Sequence, residues 1–402
     1  MAEYKSLKDE KIGGKTIVVR VDLNSNVEGG NLFKSARIEK HAATLKMLSE
    51  KGAKVVALAH QGRKGGADFI SLQQHAEALA EIIGKEVKLL SWESDFAAAI
   101  SSMQPGEIVL MENVRNNENE EQDFSPEEAG KVEWVAKIAS VSQLFVQDAL
   151  SVCHRSHPSV VGFTALLPSF IGPVLEHELN ALKRFDKGEK PCVFILGGAK
   201  IKDSISLMKE LLGRQKADRI CVAGLLGEIF LKAKGIALGE KDNFIQESGF
   251  NEMVEPAKQL LESYPGKIIL PVDVAVMDDS DEREDVSVSE LPKDNPIYDI
   301  GPETISEFKG VLKGAKVIVL NGPPGVFEKM DFEFGTKKVF DAVSKSKAFS
   351  MLGGGDTEAA MEQLDFSERQ FSHVSLAGKA FLQYLSGKEL PGLAALAKAQ
   401  GK

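Results

Sequence analysis

Short, uniformly apolar runs alternate with amphipathic stretches along the whole chain. "KTIVVRVDLN" has the β-branched enrichment of a strand. "SARIEKHAATLKMLSEKG" after it sets Ile38, Ala42, Leu45 and Leu48 on one helical face, with Gly52 suited to end the helix. "KVVALAH" predicts the next strand and "SLQQHAEALAEIIG" the next helix, and "EIVLMEN" and "LFVQDAL" continue the strand series. A second series begins at "PCVFILGG" and runs through "RICVAG", "KIILPVD", "AKVIVLNG" and "AFSMLGGG", with helices between. Strands this apolar are buried on both faces, which implies parallel sheets covered by helices. The expected fold class is therefore α/β, with two Rossmann-like parallel-sheet domains of three-layer αβα build. Between the series, "PVLEHELNALKRFDKGEKP" from Pro173 reads as a polar inter-domain helix ending in a charged turn. We place an N-terminal domain at 1–170, the connecting helix at 171–188 and a C-terminal domain at 189–385. The acidic stretch "MDDSDEREDVSVSE" reads as a solvated surface insertion.

A chain of 402 residues is too long for one comfortable core, in keeping with two domains. The net charge of -10 argues against nucleic acid or an anionic membrane as partner, but leaves room for a small anionic substrate met by local positive charge. Three widely spaced cysteines, Cys153, Cys192 and Cys221, lack metal-ligand spacing and suggest free thiols in a reducing compartment. The opening "MAEYKSLKDEKIGGK" has no apolar core of a signal peptide, and no apolar run approaches the ~20 residues of a membrane span. A cytoplasmic protein is the expectation.

In open parallel sheets, ligands bind beyond the carboxyl ends of the strands. In the first series those ends carry Asp22 and Asn24, His60 and Arg63, Arg115, and then His154, Arg155 and His157. Arg63, Arg115 and Arg155 each follow a strand, Arg37 opens a helix, and only Arg20 lies within a strand, whereas the helix surfaces use lysine. A guanidinium fork matches phosphate and carboxylate, so arginines held at loop mouths suggest an oxyanion pocket. The competing reading is that they brace loops through salt bridges. The second series ends instead in glycine-rich turns: "GGAK" (Gly197–Lys200), "AGLLGE" (Ala223–Glu228), "NGPPGVFE" (Asn321–Glu328) and "GGGDT" (Gly353–Thr357). Glycines permit close backbone approach, and helix N-termini offer free N–H groups to phosphate. Asp356 would suit a cation beside them, or serve only as an N-cap. Neither a Walker loop nor a dinucleotide fingerprint occurs. No nucleophilic Ser–His pair or general base is evident. Phosphoryl transfer to a carboxylate needs none, because an acid of pKa ~4 is already ionised at neutral pH.

"RVDLN", "HQGR", "LMENVR", "DALSVCHRSHPSVVGF", "LGGAK", "LPVDVAV", "DIGPETI", "NGPPGVFE", "GGGDT" and "SGKELPG" occur in the order, and over nearly the length, of phosphoglycerate kinase, which this sequence resembles. The resemblance implies a hinge helix between the domains and a C-terminal tail, about 386–402, packing back on the N-terminal domain. It implies Mg2+-dependent, reversible phosphoryl transfer between 1,3-bisphosphoglycerate and ADP, giving 3-phosphoglycerate and ATP. The partners would be these small molecules, with no nucleic acid and no membrane, in a monomer or dimer. Asp22 and Asn24 would hold the glycerate end, and His60, Arg63, Arg115 and Arg155 its phosphate and carboxylate, with Leu23, Gln61 and Gly62 in the same substrate-binding segments. Arg37 and Lys200 would be catalytic. Asp356 would ligate Mg2+, with the amides of Gly354, Gly355 and Thr357 facing phosphate. Glu328 would bind the ribose, Asn321 and Pro323 would line the nucleotide site, and Gly198, Ala199, Ser204, Gly224 and Gly353 complete it.

The sequence departs from the family pattern at Ser204, where a lysine is usual, at "AGLLG" (Ala223–Gly227) and at "LAGKA" (Leu376–Ala380). Lys64 also replaces a usual proline beside the arginine pocket. The first three lie on the nucleotide side. They leave open ADP against GDP preference, and a non-catalytic triose-phosphate-binding protein as the alternative.

Overall fold

The structure, a computed structural model, describes residues 4–8 and 10–401. The outermost ends of the expected N-terminal domain and C-terminal tail lie outside the described residues. The chain divides into two compact units, one comprising Met1–Asn180 and Lys388–Lys402, the other Ala181–Gly387.

The first unit is built on a six-stranded parallel sheet in the order Val87–Leu90, Ile108–Met111, Lys54–Leu58, Thr16–Arg20, Leu144–Gln147, Ser169–Ile171. Alternation divides its apolar strands between two layers. Ile17, Val19, Val55 and Ala57 pack with Ile38, Leu45 and Leu48 of the helix Ala36–Glu50 and Leu79 of Gln73–Ile83. Val18, Val56 and Val109 face Trp134, Ile138 and Phe163 on the other side. The helix Ala36–Glu50 stops as expected, for Gly52 takes φ +79° and donates to Ser49 O.

The second unit has its own six-stranded parallel sheet, ordered Ile268–Ile269, Arg219–Val222, Cys192–Leu196, Val317–Asn321, Phe349–Gly353, His373–Ser375. "KIILPVD" yields only the two-residue edge strand Ile268–Ile269. Pro271 cannot donate to a ladder, and the Asp273 carboxylate turns to cap the helix Pro302–Leu312, accepting from Glu303 N (2.8 Å) and Thr304 N (2.7 Å). The acidic stretch is largely exposed, as expected, but it is ordered as part of a sheet. It forms an antiparallel hairpin, Asp273–Met277 with Arg283–Ser287, that Ile297–Ile300 completes to three strands. Arg283 makes this possible by pairing with Asp285 (2.9 Å) and Asp299 (2.8 Å).

The helix Pro173–Asp186 crosses the unit division between Asn180 and Ala181. Asp148 caps its first turn, accepting from Val174 N (2.8 Å) and Leu175 N (3.3 Å). The terminal helix Pro391–Gln400 returns to the first unit, where Gly392 N donates to Cys153 O. Among the described residues, no helix is long and apolar enough to cross a membrane.

Candidate functional site

At the carboxyl end of the first sheet, the strand Thr16–Arg20 continues into Asp22–Asn24 and meets the loops at 60–63, 113–115 and 148–157. Asp22 is buried and accepts from Ser151 Oγ at 2.6 Å and from the Asn24 amide at 3.0 Å, with Arg37 Nε 3.4 Å away. Burial alone would raise its pKa. The Arg37 charge foremost, with the Ser151 hydrogen bond, overcomes that and holds it at about 2. Asn24 Oδ1 accepts from Gly62 N (2.8 Å), and Gly62 O accepts from Arg115 Nη1. Gly62 must be glycine: φ is +64°, and a Cβ there would lie 2.4 Å from Asp68 O. Arg115 also meets Glu121 (3.2 Å), while Arg155 Nε donates to His154 Nε2 (3.1 Å), whose Nδ1 reaches Ser151 O (2.7 Å). Burial lowers the pKa of both Arg115 and Arg155, and their proximity to other arginines adds to it. Burial foremost, then Arg20, keeps His60 far below the usual range, and burial with Arg155 takes His157 to about 4, so both are neutral at pH 7. A polyanion would relieve the mutual repulsion of these guanidinium groups.

At the corresponding end of the second sheet the order reverses between Cys192–Leu196 and Val317–Asn321, the position where α/β sheets bind ligands. Gly197 N donates to Asn321 O and Gly198 N to Pro323 O, both at 2.9 Å. A Cβ at Gly197 would lie 2.3 Å from Pro323 O, and one at Gly322 2.4 Å from Gly197 O. These glycines therefore let two strand ends touch backbone to backbone. Thr357 Oγ1 bridges Gly353 O (2.9 Å) and Gly322 N (2.8 Å), and Asn321 Nδ2 donates to Gly353 O. The helix Gly355–Gln363 starts here with Gly354 (φ +103°) as N-cap, so Asp356 is not the cap. Its carboxylate accepts from Lys200 Nζ at 2.8 Å, both side chains being half-exposed. The Thr357 and Glu358 amides turn back to Gly354 O, so the first-turn donors that this terminus presents beside a carboxylate and an ammonium are those of Gly355 and Asp356.

The structure thus gathers Asp22, Asn24, Arg37, His60, Gly62, Arg115 and Arg155 at one strand-end cluster, with Arg63 exposed but near enough to act on Arg115 and Arg155 electrostatically. The side chains of Leu23 and Gln61 face inward. Leu23 lies in the core, and the Gln61 amide is tied to Ser25, His75 and Asp68 O. Gly198, Ala199, Gly224, Asn321, Pro323 and Gly353–Thr357 gather at the second sheet, where the polar groups of Asn321 and Thr357 hold neighbouring loops and the Thr357 amide donates to Gly354 O. Ser204 is buried on the helix Ile201–Gly213, and nearby Lys202 pairs with Glu252. Glu328 lines a cavity of about 380 Å3 with Phe327, Lys337 and Gln363.

Arg20, on the strand Thr16–Arg20, also belongs to this cluster. It is buried, and its guanidinium bonds Ser159 Oγ (2.9 Å), His60 Nδ1 (3.1 Å), Val21 O and Leu58 O, with Glu120 close by. A lone arginine in an apolar strand was the available signal.

A phosphoglycerate kinase family model matches residues 7–388. The phosphoglycerate kinase of Methanothermobacter thermautotrophicus is 40% identical, covering 98% of this chain and 97% of that protein. Phosphoglycerate kinase 2 of Methanosarcina acetivorans is 41% identical, covering 98% and 95%. Among solved structures, phosphoglycerate kinase from Pyrococcus horikoshii superposes with a TM-score of 0.92 at 34% identity, covering 98% of this chain and all of that one, 100%. The enzyme from Coxiella burnetii gives 0.83 at 32% identity, covering 98% and 99%.

Proposed function

The chain belongs to the phosphoglycerate kinase family, and we propose from that premise a division of labour between its two clusters. The arginine cluster binds 3-phosphoglycerate or the 1,3-bisphosphate, and the glycine-lined strand ends bind ADP or ATP. The observation that carries this reading is the crowding of Arg37, Arg115 and Arg155 around Asp22 and Gly62 at the carboxyl end of one sheet. The reaction is reversible phosphoryl transfer between 1,3-bisphosphoglycerate and ADP. The accepting carboxylate is already ionised, so the protein's contribution is alignment and positive charge on the moving group.

Arg37 and Lys200 each rest on a carboxylate, Asp22 and Asp356 respectively, from which a phosphoryl group can draw them. Among the described residues no group of three or more His, Cys, Asp or Glu could hold a metal. A single carboxylate nevertheless suits Mg2+, which keeps its waters and binds through one or two carboxylates plus substrate phosphates. Asp356 would hold it, and the ion would neutralise charge on the nucleotide phosphates. Direct transfer requires acid and nucleotide to meet, and we assign the helix Pro173–Asp186 as the hinge of that closure. The enzyme would work in the cytoplasm. The altered loops leave Lys200 and Asp356 present, and no observation favours the non-catalytic alternative.

A coupled assay of ATP formation from 1,3-bisphosphoglycerate, with and without Mg2+ and with ADP against GDP, tests the reading. Arg37→Ala or Lys200→Ala should lower turnover by ~10² to 10³-fold. Unchanged turnover in both variants would contradict the assignment.

A further inference from the structure

Within the antiparallel sheet, Arg283 and Asp299 form a buried ion pair, and each also bonds the backbone of the segment that runs from Asn321 to Gly335. Asp299, on Ile297–Ile300, has a wholly buried side chain. Its Oδ2 accepts from Gly335 N at 2.6 Å and from Arg283 Nη1 at 2.8 Å. Its Oδ1 faces the bare α-carbons of Gly325 and Gly335, where a Cβ at either would lie 2.2 Å away. Arg283, on Arg283–Ser287, reaches past Asp299 to Asp331 O (2.7 Å) and Ile300 O (3.0 Å), with its guanidinium 5.0 Å from the Phe334 ring centroid. Asp285 anchors it from behind through Nε and Nη2. Val326 N donates to Tyr298 O, and Gly325 N to Thr336 Oγ1. The segment is thus tied to the sheet at Val326, Asp331 and Gly335, on both sides of Glu328, and Arg283 with Asp299 supplies the last two of these ties.

We propose that Arg283 and Asp299 are positioning residues that buckle this loop in place, and so set where the nucleotide's phosphates and ribose are received. The inference rests on the nucleotide reading of the strand-end loops. A planar guanidinium suits the task because its donors address two carboxylates and two carbonyls at fixed angles, which an ammonium cannot do together. Neither residue touches the phosphates; each acts through the loop.

Calorimetric titrations of the whole chain with Mg-ADP and, separately, with 3-phosphoglycerate test the idea, alongside thermal unfolding. Arg283→Leu should weaken Mg-ADP binding by ~10 to 100-fold while leaving 3-phosphoglycerate affinity unchanged. Arg283→Lys should recover part of the loss, since it still reaches Asp299 but loses the fork. If Arg283→Leu does not fold, Gly335→Ala, which pushes a methyl against Asp299 Oδ1 and keeps every charge, should reproduce the nucleotide-selective loss. Wild-type Mg-ADP affinity in the folded variants would overturn the proposal, as would equal loss of both ligands. A wild-type protein that binds 3-phosphoglycerate but no Mg-ADP would sink the nucleotide reading itself, and this inference with it.

Discussion

Gly322 has φ +84°, and its missing side chain is what allows Gly197 O to approach. Alanine there would meet both left-handed strain and a backbone oxygen that cannot move without shifting the neighbouring strand end. Gly322→Ala should cost about 1–3 kcal/mol of stability and weaken nucleotide binding, checked by thermal unfolding and calorimetry. At this scale the types of the contact residues were readable in the chain, but their employment was not. Arginines at loop mouths and glycines after strands announce anion chemistry by their own chemistry. Whether Gln61 or Thr357 offers its polar atoms outward depends on partners such as His75 and Gly322, and nothing local predicts those pairings.

Among the elements, the helix Ala36–Glu50, which carries Arg37, is held by a polar contact on its next turn. One turn after Arg37, the buried His41 places Nδ1 3.0 Å from Asp148 Oδ2, and the other Asp148 oxygen caps Pro173–Asp186. One carboxylate therefore ties the helix Ala36–Glu50 to the first turn of Pro173–Asp186. Asp148→Ala should destabilise the protein by about 2–4 kcal/mol through an orphaned buried imidazole and an uncapped helix, whereas Asp148→Asn should cost less because it retains an acceptor. Denaturant unfolding at neutral pH would measure the difference, and equal costs would refute the capping account. The parallel strands were legible because doubly buried strands must be apolar throughout. The hairpin at 273–287 was not, since its charged residues mark a surface until Arg283 and Asp299 are seen to meet.

For the whole molecule, buried ionisable groups set the response to acid. His75 is pushed down to about 4 by burial, so below the ordinary histidine value of ~6.5 the unfolded chain takes up a proton that the native protein refuses. Stability falls as pH drops from about 6.5 to 4, by about 3 kcal/mol for this histidine. Asp22 titrates near 2, below an unfolded carboxyl, so its stabilising contribution is present above pH ~4 and lost as pH falls towards 2. Asp299, raised to about 6 by burial despite its bond to Arg283, acts in the opposite sense within the upper window. Variants therefore separate these effects better than the wild-type curve. Urea unfolding from pH 7 to 4 should show a shallower decline for His75→Gln, and an unaltered slope would remove His75 from the account. Composition and periodicity are local quantities, and they were enough to establish two helix-covered parallel sheets, the cationic chemistry of one set of strand ends and the bare backbone of the other. Which polar groups face a ligand and which are tied to each other was decided only by folding. Arg20 meets Ser159 across 139 residues and Lys200 meets Asp356 across 156, pairings that exist only once the sheets have brought distant strand ends side by side.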